Sequence, residues 1–589
     1  MKKNFIPAMM TLALCAGFTA CTQDYTEKTI EKGVTKNSTT FMSVAFTIAT
    51  PPNTRAENKD EASRYQYGTW NGRDKISTVD VYVFDKESGK LEKYHSYTGR
   101  QMRIIQNATG DVKISANEAF KISKGVKHVF VVVNPTKAGA SFLPREINRT
   151  TFEDFKKKYE SAHSLLQVQN RPKAPVEKTR ADEVASVDGQ DDVIMMTGLP
   201  AIDVNIEDNI NQQQAISGRN NQVKLTVERT VARVVVTTNK DVPTFEIKGD
   251  DPRTEKVETD FLLATLSEIT YTVAQSNKNF YFLKKEYATP GRTQDNEGEQ
   301  KYEESPAFST KTSADPYWYR MNNYVGVSGD FDYSGLWRNA ANFEHNKQGF
   351  EVKSRNAFLN AADKEKEEIG EVTSHITSTT GDHGLFLFPS THKYGATVEE
   401  SDYLKSNTPY ILIRGIITPK LYVDANGNFQ TDDALKGKDF YLGTNGIVYA
   451  TKEGVTDEAH NGYKGQYAKK YVKGKAIYYL WIHPDQIDNP INSPVERNNI
   501  YHVQIKGVRS FGANWNPLVP YEYNLPYDPK NGKFPPNPYN PDDRPNDNEL
   551  EPIIPPVNPN EGLTPKETWM SAEVKIVPWK VHSYEAYID

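Results

Sequence analysis

The sequence predicts a mainly β chain: two antiparallel β-sandwich domains followed by a detached, strand-forming tail. Three observations carry that expectation. Runs of β-branched and aromatic residues alternate with a period of two along much of the 589 residues. Turns and polar loops, not regular helices, separate those runs, which argues against a βαβ sheet. Of 34 prolines, 14 fall within residues 516–566, so a stiff extended stretch sets the C-terminal end apart from the body.

The chain opens with an address. Lys2 and Lys3 precede an apolar stretch from Phe5 to Ala20 that is too short to span a bilayer, so residues 1–20 read as an export signal. Small residues before Cys21 have the form of a lipobox, with Phe18 where leucine is usual, and Cys21 is the candidate lipidation residue. The other reading is an ordinary signal with an incidental cysteine. Cys15 and Cys21 are the only cysteines, so no disulfide, thiolate metal cage or thiol nucleophile is available downstream.

Residues 22–39 are polar and read as a tether. Phe41 to Thr50 then alternates, with Met42, Val44, Phe46 and Ile48 on one face, which predicts a half-buried strand. Pro51-Pro52 and a charged run follow, so this strand is separated from the body by a surface loop that carries Arg55 and Ala56. Ile76 to Phe84 and Val126 to Val133 predict two further strands, the second ending at Asn134-Pro135. Thr150-Thr151-Phe152-Glu153 offers a capping box, with Phe152, Phe155 and Tyr159 at helical spacing behind it, so a short amphipathic helix is expected. Residues 170–190 read as a loop and Ile194–Gly198 as a short buried strand. Val223 to Thr237 holds two strands' worth of alternation, and the domain boundary is placed near 222.

The second domain, 223–515, carries expected strands at 262–274, 384–388, 410–417, 446–450, 476–482 and 500–508, with long polar insertions at 286–316 and 350–382. Residues 516–568 form the proline-rich linker. Its 51-residue core, 516–566, reaches at most about 160 Å as polyproline II. Residues 569–589 return to strand character: Met570, Ala572, Val574 and Ile576 share a face, Pro578 interrupts, and Trp579 and Val581 continue.

Chemistry is sparse. The 71 basic and 77 acidic residues give a net charge of -6 and no polyanion-binding signature, which argues against a nucleic-acid partner. The 11 histidines are scattered, the nearest grouping being His375, His383 and His392 with Asp382; no HExxH, CxxC, GxSxG or phosphate-cradling glycine loop occurs. No catalytic residue, metal ligand or cofactor-binding residue is assigned. The carboxylate pairs Asp191-Asp192 and Asp542-Asp543 read as solvated loop charges.

The ends carry the information. A tail exposing Met570, Val574, Ile576 and Trp579 to water needs a destination, since each such side chain gains roughly 1.5–3 kcal/mol on burial. Cleavage after Arg55 would release strand 41–50 and open a row of unpaired backbone groups, which another subunit's tail could fill by strand addition. The residues alone read Arg55 equally well as an ordinary loop arginine.

Four stretches carry a resemblance: Val227-Glu228-Arg229-Thr230-Val231-Ala232-Arg233, Ser493 to His502, Trp515-Asn516-Pro517-Leu518-Val519-Pro520, and Val574 to Glu585. Over essentially its whole length the chain resembles the fimbrillins of Bacteroidales, the Mfa-type subunits of short (minor) fimbriae in particular. The resemblance implies two transthyretin-like antiparallel β-sandwich domains with a C-terminal donor-strand tail. It implies a lipoprotein precursor at the outer membrane, with lipid on Cys21 and residues 21–55 as propeptide. An Arg-specific protease would cut between Arg55 and Ala56, and the chain would polymerise through donor residues Met570, Ala572, Val574, Ile576, Trp579 and Val581. The implied partners are further copies of the chain, accessory tip and anchor subunits, the protease, and host or bacterial surface receptors met in adhesion and biofilm formation. The implied location is a fimbrium on the cell surface. A surface glycan-binding lipoprotein, or a fimbrial tip or anchor subunit, is the alternative; an enzyme is not expected.

Overall fold

A computed structural model describes residues 40–48, 74–106, 112–135, 143–163, 167–168, 183–188, 191–238, 241, 244–254, 260–274, 276–277, 280–286, 302–303, 305–306, 331–332, 352–354, 384–390, 408–482, 495–514, 571–572 and 580–588. These residues are mainly β. The signal, the tether, Cys21, Arg55, Ala56, the whole proline-rich linker and the histidine grouping lie outside them.

The first domain is built on one ten-stranded sheet whose two parts share a single core. Its path runs Lys90–Thr98, Thr78–Asp85, Gly125–Val133, Met196–Thr197, Gln222–Arg229, Thr40–Ile48, Val112–Ala116, Met102–Gln106. Val79, Val81, Val83, Val129, Val131 and Val133 from one part of the sheet meet Met42, Val44, Phe46, Val223, Leu225 and Val227 from the other in a single cluster. β-branched side chains on alternate positions suit this pleated, two-sided packing. The opposite face of the central strands, with Tyr82, Phe84 and Phe130, is covered by the helix Phe152–Tyr159 through Phe155 and Tyr159. That helix starts one residue later than the sequence pattern predicts. Thr151 is its N-cap and accepts from the Asp154 amide, while its own hydroxyl bonds Asp154 Oδ2, so the capping pair is Thr151/Asp154.

The second domain is a two-layer sandwich. One layer orders Lys353–Ser354, Ala232–Thr238, Asn499–Val508, Lys580–Ile588 and Ser571–Ala572, with Leu385–Leu387 also paired to Ala232–Thr238. The other orders Phe245–Gly249, Phe261–Ala274, Tyr410–Pro419 and Lys475–Trp481. Val234, Val236, Tyr501, Val503 and Ile505 of the first layer pack against Leu266, Tyr271, Ile411, Ile413 and Tyr478 of the second. A separate five-stranded sheet occupies residues 422–471.

Three expectations change. The sheets are mixed, not antiparallel: Thr40–Ile48 runs parallel to Gln222–Arg229, Ala232–Thr238 parallel to Asn499–Val508, and Asn499–Val508 parallel to Lys580–Ile588. Side chains alternate identically in parallel and antiparallel strands, so local pattern does not separate them. The boundary placed at 222 falls at the start of a strand that belongs to the first sheet, and the chain changes sheet between Arg229 and Ala232. The loop expected at 170–190 contains the strand Glu183–Asp188, which pairs with Asp191–Ile194 and buries Val184 and Ala185.

The His95 imidazole lies 4.3 Å from the Tyr97 ring and 4.8 Å from that of Phe120, whose strand pairs with the start of Thr40–Ile48. Burial, aided by the nearby Lys93 charge, pushes its pKa down to about 4. The unfolded imidazole takes its proton near pH 6.5 and the folded one near pH 4, so the unfolded state binds more protons in between. Stability of the first domain is therefore expected to fall as pH drops from about 6.5 to about 4. His95→Phe should flatten that slope in denaturant titrations run at each pH; an unchanged slope would assign the acid sensitivity elsewhere.

Candidate functional site: a buried first strand and a docked last strand

The first strand of the chain sits inside its sheet, not at its rim. It pairs in parallel with Gln222–Arg229 from Ser43↔Gln222 to Ile48↔Val227 on one side. On the other it is antiparallel to Val112–Ala116 and, at its start, to Phe120–Ile122. Met42, Val44 and Phe46 are 0–1% exposed and Ile48 packs partly buried against the same cluster. The half-buried strand expected from alternation is buried on both faces over its first half, because the helix Gln212–Ser217 covers the other side. Ser43 Oγ donates to Ala215 O at 2.7 Å across that contact.

Polar clamps fix the strand's start. The Asn221 amide, held at positive φ (51°), donates to Thr40 Oγ1 and Phe41 O at 3.0 Å each and to Glu207 O at 2.9 Å, and accepts from Glu207 N. Thr40 Oγ1 donates to Glu207 O at 2.6 Å and Phe41 N donates to Ile210 O. At the far end Thr47 is exposed, and among the described residues its hydroxyl lies 3.4 Å from that of Thr226.

Over the outer face of this strand lies a cleft of ≈ 930 Å³. Ala45 and Thr47 form part of its floor, Gly198 and Leu199 part of its rim, and Leu283 its far wall. Gly198 permits the rim to close down: a Cβ there would stand 1.8 Å from the Thr226 carbonyl oxygen. Four lysines, Lys113, Lys224, Lys284 and Lys285, line it against two carboxylates, Glu160 and Glu228. Glu228 is bonded to Lys284 at 2.9 Å.

The last strand is seated on the second domain of its own chain. Lys580–Ile588 lies parallel to Asn499–Val508, from Asn499↔Lys580 to Val508↔Ile588, with Val581 opposite Ile500. Ser571–Ala572 folds back against Tyr584 and Glu585. Of the tail residues singled out in the sequence, Ala572 and Val581 thus lie on strands, while Met570, Val574, Ile576 and Trp579 lie outside the described residues.

Between the two strand sites runs a buried charged seam that residue patterns did not reveal. Arg229 Nε donates to Asp74 Oδ1 at 3.0 Å, its second amino group bonds Asp74 Oδ2, and Nη1 donates to Asn498 Oδ1 at 2.9 Å. Arg233 pairs with Asp192 and lies over the Phe386 ring at 4.9 Å. Arg497 donates to the carbonyls of Tyr281 and Phe282 at 2.7 and 2.9 Å. Asp192, taken from sequence as a solvated loop charge, is 1% exposed; its neighbour Asp191 is 44% exposed on its side chain and faces Lys75. The available signal was the placing of Arg229 and Arg233 among the valines and alanine of 227–233, and of Arg497 between Val495 and Ile500. Among the described residues no group of three or more metal-ligating side chains occurs, and no helix is long and apolar enough to cross a membrane.

Residues 41–211 match the family model of the major fimbrial subunit protein FimA, and residues 469–585 that of the major fimbrial subunit protein type IV, fimbrillin, C-terminal. The chain is similar to the minor fimbrium subunit Mfa1 of Porphyromonas gingivalis, 27% identical over 582 residues, covering 97% of both chains. Among solved structures it is similar to the tip fimbrial protein Mfa3 of the same organism (12% identity, 43% of this chain and 60% of that one, TM-score 0.21). It is also similar to the fimbrial anchor protein Mfa2 (15%, 41% and 62%, TM-score 0.18). At these scores the two structural likenesses carry no argument.

Proposed function

We infer that this chain, which belongs to the fimbrillin family by its match near both ends and along its length, is a structural subunit of a cell-surface fimbria that assembles with other fimbrial subunits. In the proposed cycle the precursor is exported as a lipoprotein carrying lipid on Cys21 and held at the outer membrane. An Arg-specific protease cuts between Arg55 and Ala56. The propeptide, residues 21–55, leaves with strand 40–48, and the tail of the next subunit, residues 569–589, supplies a strand in its place. Repetition of that step builds a head-to-tail fibre, because donor and acceptor are different surfaces of one chain. The fibre would serve adhesion and biofilm formation together with tip and anchor subunits.

The observation that supports this reading best is the position of the first strand. The first described strand of the chain lies in the interior of the sheet, where its departure leaves ladders open on both sides. The tail, paired to its own second domain, is consistent with a closed precursor that has not yet donated.

Arg55→Ala is expected to reach the cell surface uncut and to give no high-mass ladder on unheated gels. Normal fibres from that variant would sink the reading. N-terminal sequencing of the mature surface form should return Ala56.

A further inference from the structure

The first strand and the tail carry related heptapeptides. Residues 42–48 read Met-Ser-Val-Ala-Phe-Thr-Ile and residues 570–576 read Met-Ser-Ala-Glu-Val-Lys-Ile, identical at the first, second and seventh positions. Those positions are not arbitrary in the slot. Met42 is fully buried, Ser43 makes the buried hydrogen bond to Ala215 O, and Ile48 ends the pairing with Val227.

We propose that the slot vacated by strand 40–48 takes residues 570–576 of a second copy in one register, with Met570 at the Met42 position and Ile576 at the Ile48 position, and that the lysine-lined cleft above position 45 receives the Glu573 carboxylate. The proposal rests on the donor-strand reading and adds its register and its selectivity.

The register follows from face and chemistry together. It sets Met570, Ala572, Val574 and Ile576 on the core side in place of Met42, Val44, Phe46 and Ile48, and Ser571 where the Ala215 carbonyl awaits a hydroxyl. A slip by one residue would turn every side chain to the wrong face. A slip by two would put Glu573 or no residue of the repeat at the Ser43 position. At the two outward positions the tail differs from the strand it replaces. Thr47, which is exposed, becomes Lys575. Ala45, opposite Lys224 and on the floor of the cleft, becomes Glu573. A carboxylate at this position, where Ala45 is 1% exposed, would reach into a cleft whose lining carries four lysines and two glutamates, one of them paired with Lys284, and would lie beside Lys224 of the neighbouring strand, a net attraction that Ala45 of the departing strand does not have. The incoming strand, with smaller core residues, thus has an electrostatic preference that the propeptide lacks. Only residues 570–576 are used, so Lys580–Ile588 can stay on its own second domain; the short pairing of Ser571–Ala572 with Tyr584 and Glu585 is what must open.

The absence of cysteine after Cys21 permits a direct test. In fibres of the full chain, Lys575→Cys should form an intermolecular disulfide with Thr226→Cys, the residue opposite Thr47. Glu573→Cys with Thr226→Cys reports a two-residue slip and should give none. A ladder from the second pair alone would overturn the register while leaving strand donation standing. Fibres without either cross-link would overturn the register as well, and fibres formed by a chain lacking residues 569–589 would overturn donation itself. For the charge, Glu573→Lys should slow assembly at least tenfold and Lys224→Glu in the same chain should restore much of it; equal rates for all three would remove the cleft from the proposal. Should a cysteine variant fail to assemble, a synthetic 569–579 peptide competing with processed native chain gives the same discrimination: the Glu573→Lys peptide is expected to inhibit at least tenfold less well, and equal inhibition would count against it.

Discussion

A chain beginning at Ala56 is expected to lose most of the stability of its first domain unless a strand is supplied from outside. Removing Thr40–Ile48 exposes the partners of Met42, Val44 and Phe46, each worth roughly 1.5–3 kcal/mol when buried. It also leaves Asn221, Glu207 and Ala215 without the hydroxyls and carbonyl they bind. That loss is comparable with the whole stability of an ordinary domain, about 5–15 kcal/mol. The truncated chain should melt far below the full chain or associate at once, and a peptide of residues 40–48 added in excess should restore the transition. A monomeric Ala56 chain melting within a few degrees of the precursor would show that the strand is dispensable and that its loss supplies no driving force for assembly.

The second large effect is expected at the junction. Arg229→Met takes the guanidinium from the Asp74 carboxylate in a site where both side chains are almost wholly buried, 0% and 3% exposed. Removing one member of such a pair costs about 3–5 kcal/mol, because the remaining charge has lost its solvation and its partner. Replacing both, as Asp74→Leu with Arg229→Met, should recover most of that loss. Additive losses in denaturant unfolding of the two single variants and the double would show that the pair is not coupled. The same pair ties the first domain to Asn498, beside the Arg497 that holds the carbonyls of Tyr281 and Phe282. Together with the cluster shared by Tyr82, Phe130, Val235, Phe386 and Ile500, this seam joins the two domains through packed, charge-satisfied contact.

Much of the fold was legible because its strands announce themselves by side-chain period. Thr78–Asp85, Gly125–Val133, Tyr410–Pro419 and Asn499–Val508 fall within a few residues of where alternation put them. The short helix was legible from Phe152, Phe155 and Tyr159, with the cap displaced by one residue because Asp154, not Glu153, answers the threonine. Glu183–Asp188 was not legible, since only Val184, Ala185 and Val187 mark it among charges. Asp192 was misread for a different reason: in sequence its partner Arg233 stands 41 residues away, and nothing local distinguishes a paired carboxylate from a solvated one.

By itself the sequence determined which segments form strands, that no thiol chemistry operates beyond Cys21, and that an apolar tail stands behind a proline-rich stretch. These follow from local pattern and composition, which every residue carries with it. Only the tertiary structure decided that the first strand is interior and parallel to residues 222–229, that the last strand lies on residues 499–508, and that four lysines line one cleft with Ala45. Each of those facts joins residues tens to hundreds of positions apart. A side-chain period of two records the pleat of a strand but neither the identity nor the direction of its neighbour.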